Sequence, residues 1–367
     1  MSKNIIFFLP VFKLGGAGNS IFRLCTKINL KKNKLFIISI GANEYKKKFL
    51  NYSKKIKIIE INRNNTISSF FILKEKVKDI IDNDCQNIFI SNQHYANVIS
   101  ILALKKIKNL KLVVIDRIDI SELNKFYNLT NYIKNRIVFI LVKYLYKYAD
   151  SVISNSKSAK KDIEKITNTK VVNISPPSLI KIRKIKTKLR INKQINILTV
   201  GSLVKGKGVD TMIRSLSLLN KKNFIFRVAG DGEERKNLKR LIKKLKLTNK
   251  VHLLGWCDNV EKLYKNSDLF IHASHQEGFP NSIVEALNFN LPIIASNCKG
   301  GTQEILANGK GGDLFPVNNY KLLASKIQKF IDNQTNLRKK LKFARKHINN
   351  YTVDENYNKF MKVLNKI

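Results

Sequence analysis

Short apolar runs recur along the chain, each separated from the next by an amphipathic stretch, and this rhythm constrains the fold more than any other feature. The runs are Ile5–Leu9, Leu35–Ile40, Ile56–Ile61, Ile88–Ser91, Leu112–Ile115, Ser151–Asn155 and Val171–Ile174, then Ile195–Val200, Phe224–Ala229, Val251–Leu254, Leu269–Ala273 and Pro292–Ala295. Most are continuous rather than alternating, the pattern of parallel strands buried on both faces. The intervening stretches read as helices. Leu238, Leu241, Ile242 and Leu245 recur at helical spacing, with lysines and arginines opposite. Strands alternating with helices predict doubly wound, Rossmann-like α/β units.

At 367 residues the chain exceeds one typical domain, so two are expected. The break falls near Ser175-Pro176-Pro177, because two prolines continue neither a helix nor a central strand. The basic stretch Lys181 to Lys193 follows, and a fresh strand pattern opens at Ile195. The expected domains are residues 1–175 and 176–345, with residues 346–367 supplying a final helix, after Thr352, that returns to the first domain. Paired α/β domains place a ligand between them, and open parallel sheets bind at the carboxyl ends of their strands. Residues just after strands are therefore the candidates for chemistry.

Composition removes several classes. Cys25, Cys85, Cys257 and Cys298 lie far apart with no C-x-x-C pair, so neither a zinc site nor a disulfide framework is expected, and a reducing cytosol fits best. The longest clean apolar run, Ile137–Val142, is far short of the roughly 20 residues a bilayer span needs. Asn4 to Phe12 contains Pro10 and leads into glycines, so it reads as a first buried strand rather than a signal peptide. The net charge is +43. Phosphate-bearing partners (nucleic acid, an anionic membrane or a nucleotide sugar) are one explanation. The codon bias of an A+T-rich genome is an equal one, since Lys, Asn and Ile crowd the sequence together. Either way, such a chain is drawn to an anionic leaflet.

The segment Ser274 to Leu287 stands out. It follows the run Leu269–Ala273, and Gly278 with Pro280 and Asn281 or Ser282 marks a turn into a helix. Glu277 then sits on a loop at a strand's end and Glu285 about one turn into the helix. A helix N-terminus suits a phosphate or sugar hydroxyls, and carboxylates accept from hydroxyls. On residue chemistry alone, a capped surface helix with two solvated glutamates explains the same pattern.

The string Glu277-Gly278-Phe279-Pro280-x4-Glu285-Ala286 resembles the E-x7-E signature of glycosyltransferase family 4, the retaining enzymes of GT-B fold. Tyr148-Ala149-Asp150 with Ser154-Asn155-Ser156, Gly201 to Gly208, Gly230-Asp231-Gly232, Gly255-Trp256 and Gly300-Gly301-Thr302-Gln303-Glu304-Ile305 fall in the family's order. The likeness covers the second domain well and the first thinly. It implies two Rossmann-like domains facing across a cleft. It also implies that Glu285 holds the nucleotide ribose, that Glu277 contacts the transferred sugar, and that Lys207 neutralises the diphosphate leaving group. The backbone of Gly278, Phe279, Pro280 and Asn281 would line the sugar and phosphate pocket, with the Gly300-Gly301 loop beside it. Three positions depart from the family. Ser202 stands where it usually has Arg, with Lys205 as a possible substitute, although the two cations are not equivalent at a phosphate. Gly15-Gly16-Ala17-Gly18 replaces Gly-Gly-Ala-Glu. No family histidine is evident in the first domain, where the corresponding stretch is Asp116-Arg117-Ile118-Asp119. Gly15, Gly16 and Arg117 are the candidates for an acceptor or diphosphate loop, with a surface salt bridge the competing role for Arg117.

Other motifs weaken on inspection. Gly201-x4-Gly206-Lys207 begins like a P-loop, but Gly208 stands where Ser or Thr must ligate magnesium. Ile21 takes the place of the third glycine that a dinucleotide fingerprint would need after Gly16-Ala17-Gly18. Asp82-Asn83-Asp84 imitates a metal-binding D-x-D yet reads as a polar turn. His272, expected to point into the sheet, and His275, which could line the cleft, lack the partners for a metal site. Trp256 fits a base-pocket border or a packed aromatic. Two basic clusters, Lys46–Lys55 around Phe49, Leu50 and Tyr52, and Lys125–Lys147 with interleaved tyrosines, fit either a membrane surface or an ordinary solvated helix face.

The function expected is transfer of a sugar from a nucleotide diphosphate sugar, UDP foremost, to a saccharide or lipid-linked acceptor. The anomeric configuration is retained, and neither metal nor other cofactor takes part. The setting expected is surface-polysaccharide or lipopolysaccharide assembly at the inner face of the cytoplasmic membrane, with peripheral membrane contact and no specific nucleic acid. A sugar-nucleotide 2-epimerase of the same fold and a basic nucleic-acid binder are the alternatives.

Overall fold

The structure is a computed structural model that describes residues 2–12, 15–63, 69–124, 128–184, 194–220 and 223–367. Lys125 and most of the basic stretch from Lys181 to Lys193 therefore lie outside the described residues. The chain divides into two compact units, Met1–Ile180 with Val353–Ile367, and Lys181–Thr352.

The first unit holds one parallel sheet of seven strands: β1 (Lys3–Leu9), β2 (Lys34–Ser39), β3 (Ile56–Glu60), β4 (Gln86–Asn92), β5 (Leu110–Asp116), β6 (Ser151–Ser154) and β7 (Val171–Asn173). Their order is β3-β2-β1-β4-β5-β6-β7, so the winding reverses between β1 and β4. Every residue of β1 is buried, which explains its unbroken apolar run. Ile6 and Phe8 face Leu73, Val77 and Leu104. Ile5 and Phe7 face the opposite layer, where the final helix Val353–Leu364 lays Phe360 on Phe7 at 6.0 Å. Pro176 and Pro177 lie within this unit. Arg23 donates to Pro177 O and Ser178 O, and Val353 N donates to Leu179 O, which tethers the segment Pro177–Leu179 to helices of the first unit.

The second unit holds a parallel sheet of six strands: β8 (Ile195–Val200), β9 (Phe224–Ala229), β10 (Val251–Gly255), β11 (Leu269–His272), β12 (Ile293–Ser296) and β13 (Asp313–Phe315). The order β10-β9-β8-β11-β12-β13 reverses between β8 and β11. β13 has no counterpart among the expected strands. It is three residues long and only Phe315 is buried, too little for a visible run. The expected helix around Leu238 forms as Arg235–Lys244, with Leu238 and Ile242 buried and the cations outside. No helix among the described residues is long and apolar enough to cross a membrane.

Candidate active site

Ligands of open parallel sheets sit where the winding reverses. In the second unit that point lies between the carboxyl ends of β8 and β11, and both ends carry candidate residues. The loop after β8 runs through Ser202 to Lys207 and closes against the end of β11. His275 N donates to Gly206 O at 2.8 Å. Gly208 has φ +61°, and a Cβ there would collide with Ala273 O, so the close packing of the two loops requires glycine.

This packing brings Lys207 to Glu277. Lys207 Nζ donates to Glu277 Oε1. Ser274 Oγ donates to the same oxygen at 2.7 Å, and His272 Nε2 lies 3.2 Å from it without the alignment of a hydrogen bond. Burial pushes the Glu277 carboxyl up, but Lys207 and His272 outweigh it and hold the acid well below the usual carboxylate range. Glu277 is thus an ionised, acceptor-only group at neutral pH. Because its folded pKa is depressed, the stability it contributes is complete above the ordinary value and is lost as pH falls through the folded one. Glu277→Gln should therefore flatten the loss of second-unit stability between about pH 4 and pH 2. Superimposable acid limbs for the two proteins in pH-dependent melts would contradict this assignment.

The helix Asn281–Asn288 begins where the Pro-Asn pair predicts. Two of its first N–H groups are already committed, Asn281 to Phe279 O and Ile283 to Pro280 O. The buried Phe279 ring packs on Tyr351 at 5.4 Å, so only its backbone is left to line a site. Gly300 and Gly301 lie directly against the Glu277–Phe279 backbone. Gly301 N donates to Gly278 O at 3.1 Å, and a Cβ on Gly301 would meet Phe279 Cδ2 at 2.7 Å. Glu285 is part-exposed and accepts at Oε2 from Tyr264 OH at 3.2 Å; the Tyr264 ring stacks on Phe289. Glu285→Ala is expected to weaken nucleotide-sugar affinity by about ten- to a hundredfold, because hydrogen bonds to a charged acceptor are worth about 1.5–3 kcal/mol. Tyr264→Phe should cost roughly threefold, since it removes only an orienting contact. Calorimetric titration checks both, and unaltered donor affinity in Glu285→Ala would dismiss the role.

Ser202 lines a small cavity with Lys207, His272 and Ser274. Lys205 is exposed and lines a separate hollow of about 360 Å³ with Asp210, Arg214 and Glu234, so the structure does not bring it to Glu277 as a second phosphate cation. Trp256 is exposed, with Nε1 donating to Asp258. Asp82 accepts from Lys34 and Cys85 in a turn, and the Lys34 hydrogen bond foremost holds it down to about 2. Among the described residues no cluster of three or more His, Cys, Asp or Glu could hold a metal ion.

In the first unit, Gly15 and Gly16 open the helix Gly16–Cys25 after β1, with Tyr45 OH at 3.3 Å from Gly15 N. Arg117 follows β5. Its Nε donates to Asn92 Oδ1 at 2.9 Å, no carboxylate pairs with it among the described residues, and burial lowers it to about 10. The expected competing salt bridge is therefore not formed there. No hydrogen bond joins Arg117 to Gly15 or Gly16 among the described residues. Beside Arg117 lies a buried group that the sequence reading missed. His94 Nδ1 sits 2.7 Å from Asp116 Oδ1, the oxygen that also accepts from Asn97 and Tyr146. Burial pushes the His94 imidazole down, but Asp116 outweighs it and the group lies above its ordinary range. The available signal was position alone: His94 follows β4 at the reversal point of the first sheet. His272, Ser274 and Tyr264 were likewise missed as partners of the two glutamates. For His272 and Ser274 the signal was their place at the carboxyl end of β11.

Three comparisons bear on this geometry. The pattern of the family described as glycosyl transferases group 1 matches residues 181–347. The chain is 34% identical over 280 residues to an uncharacterized glycosyltransferase of Methanocaldococcus jannaschii, covering 69% of this chain and 67% of the relative. It is 25% identical over 348 residues to a Campylobacter jejuni α-1,4-N-acetyl-D-galactosaminyltransferase named for a GalNAc-bearing diNAcBac-PP-undecaprenol, covering 92% and 91%. Anabaena HepE, solved with UDP-glucose, superposes with a TM-score of 0.81 at 21% identity, covering 99% of this chain and 100% of that one. Sucrose-phosphate synthase of Thermosynechococcus elongatus reaches 0.82 at 14% identity, covering 99% and 98%. These likenesses establish the GT-B fold.

Proposed function

The chain belongs to the glycosyl transferases group 1 family, and from that premise we propose that it is a retaining enzyme of glycosyltransferase family 4 using a UDP-sugar. It is a glycosyltransferase of the hexosyltransferase type. The observation that carries the finer reading is the Lys207–Glu277 pair at the winding reversal of the second sheet, with Glu285 on the helix that follows.

In this reading Glu285 accepts from the ribose hydroxyls and Tyr264 orients it. Glu277, kept ionised, accepts from hydroxyls of the transferred sugar. Lys207 lies between Glu277 and the diphosphate, and stabilises charge as it grows on the departing phosphate. The acceptor hydroxyl enters on the face the phosphate leaves, and a phosphate oxygen takes its proton. The chain's own residues then need supply neither a nucleophile nor a metal ligand set. Arg117, with no carboxylate partner among the described residues, is the first-unit cation for an acceptor's phosphate.

The acceptor is a saccharide or lipid-linked saccharide of bacterial surface-polysaccharide or lipopolysaccharide assembly, and the enzyme works from the cytoplasmic side, peripheral to the membrane. The Campylobacter relative's undecaprenol-linked name and the charge of +43 support this setting. The test is a thermal-shift screen of UDP-, GDP- and ADP-sugars, followed by NMR of the product's anomeric configuration with and without chelator. An inverted product or chelator-sensitive transfer would refute the mechanism, and no shift with UDP-sugars would refute the donor. Conversion of donor without acceptor would favour the 2-epimerase.

A further inference from the structure

The helix Leu129–Leu145 and the short turn Tyr146–Tyr148 carry an uncovered apolar stripe. Val138, Val142 and Leu145 fix the helix to the first unit's core. On another face Leu129, Ile133, Ile137, Ile140, Tyr144 and Tyr148 follow one another at steps of three and four residues, each between 48% and 64% exposed. Singly exposed apolar residues need no explanation, but a stripe running the length of a helix does. Cations flank it on both sides: Lys134 on one, Arg136, Lys143 and Lys147 on the other. Lys143 lies over the Tyr144 ring, and Lys147 and Lys105 lie over the Tyr148 ring. Between Asn128 and Ala149 there is no Asp or Glu.

We propose that this face docks the enzyme on an anionic lipid bilayer, with the helix lying in the plane of the interface. The isoleucines and Leu129 reach the acyl boundary, the tyrosines sit at headgroup level, and the flanking cations meet lipid phosphates. A second copy of the chain does not suit the face, because a symmetric pairing would bring the flanking cations of both copies together with no Asp or Glu between Asn128 and Ala149 to pair with them. Nucleic acid offers nothing to the apolar centre. The other basic cluster lacks this design: Phe49 is buried against Phe12 and Phe22, and Tyr52 OH is tied to Thr26 O. The inference deepens the peripheral-membrane reading above. Its test needs no transfer reaction, so failure of the docking surface and failure of the chemistry are separable.

The experiment is co-sedimentation of the full chain with vesicles of phosphatidylglycerol and phosphatidylcholine, and with phosphatidylcholine alone. The intact protein should bind the anionic vesicles strongly and the neutral ones weakly. The triple variant Ile133→Ser, Ile137→Ser, Ile140→Ser should lose at least about tenfold in partitioning without any change of charge. Lys236→Gln, Lys239→Gln, Lys243→Gln, on the exposed face of the helix Arg235–Lys244, should stay within about threefold, because the stripe and its flanking cations are untouched and only charge on the other unit is lost. If the serine variant unfolds, as judged by circular dichroism, the single Ile137→Asp variant at the stripe's centre replaces it with the same expectation. Serine-variant binding equal to the intact protein's would overturn the proposal. So would larger losses in the glutamine variant, or self-association of the intact chain that the serine changes abolish while vesicle binding persists.

Discussion

Lys207→Ala is expected to slow single-turnover sugar transfer by roughly 10²–10³-fold, the usual cost of removing one preorganised group that meets developing charge. Two effects add. On the proposed mechanism the departing phosphate loses its cation, and Glu277 loses one of the two groups that hold it ionised in a buried position. Donor affinity should change much less, because Lys207 is already engaged with Glu277 before any phosphate arrives. The variant should also acquire a new pH dependence. With Lys207 gone, His272 is left to oppose burial, so the Glu277 carboxyl should move up from its depressed position and residual transfer should be lost with acid at a higher pH than in the parent. Lys207→Arg is not expected to restore full rate, since a forked guanidinium does not place its charge where an ammonium does. Rapid-quench measurement of one turnover decides the matter: an undiminished rate in Lys207→Ala removes the leaving-group role.

The second large effect is structural. Gly300 has φ +111°, a conformation that L side chains rarely adopt, and a Cβ there would collide with Glu277 O. Gly300→Ala must therefore strain the backbone and displace the loop carrying Glu277 at once. We expect a loss of about 3 kcal/mol or more in the second unit, a fall of roughly 6–12 °C in its melting temperature, and loss of donor binding in whatever fraction folds. Gly206→Ala is the matched control. Nothing lies within 4 Å of its Cβ position and its φ is not positive, so it should stay within about 0.5 kcal/mol. Calorimetric melts of the two variants compare directly, and a Gly300→Ala protein that melts and binds donor like its parent would disprove the account.

The sheets were readable in the sequence because their strands are buried on both faces. β1, β4 and β11 carry the continuous runs Ile5–Leu9, Ile88–Ile90 and Leu269–Ile271 for that reason, and the eye finds them without knowing the order in which they pair. β13 escaped because half-exposed residues on an edge strand need no such run. The Glu277-to-Glu285 string was equally visible, being local. What surrounds it was not. Lys207 meets Glu277 across 70 residues and Tyr264 meets Glu285 across 21, and contacts made between separate elements leave no spacing to read. Arg117 and His94 show the same limit. Their Asn92 and Asp116 partners lie on the neighbouring strands β4 and β5, and pairing register, not chain distance, brings them together.

The final helix Val353–Leu364 has a consequence for any attempt to take the protein apart. The unit that carries Lys207, Glu277 and Glu285 is a contiguous piece, Lys181–Thr352, whereas the other unit is written in two pieces that bracket it. A premature stop before Val353 would leave the second unit's chain whole and strip Phe360 and Leu364 from the first unit's core. On the proposed division of roles, donor specificity could be exchanged by grafting the single segment 181–352 between relatives, whereas acceptor specificity would need two segments moved together.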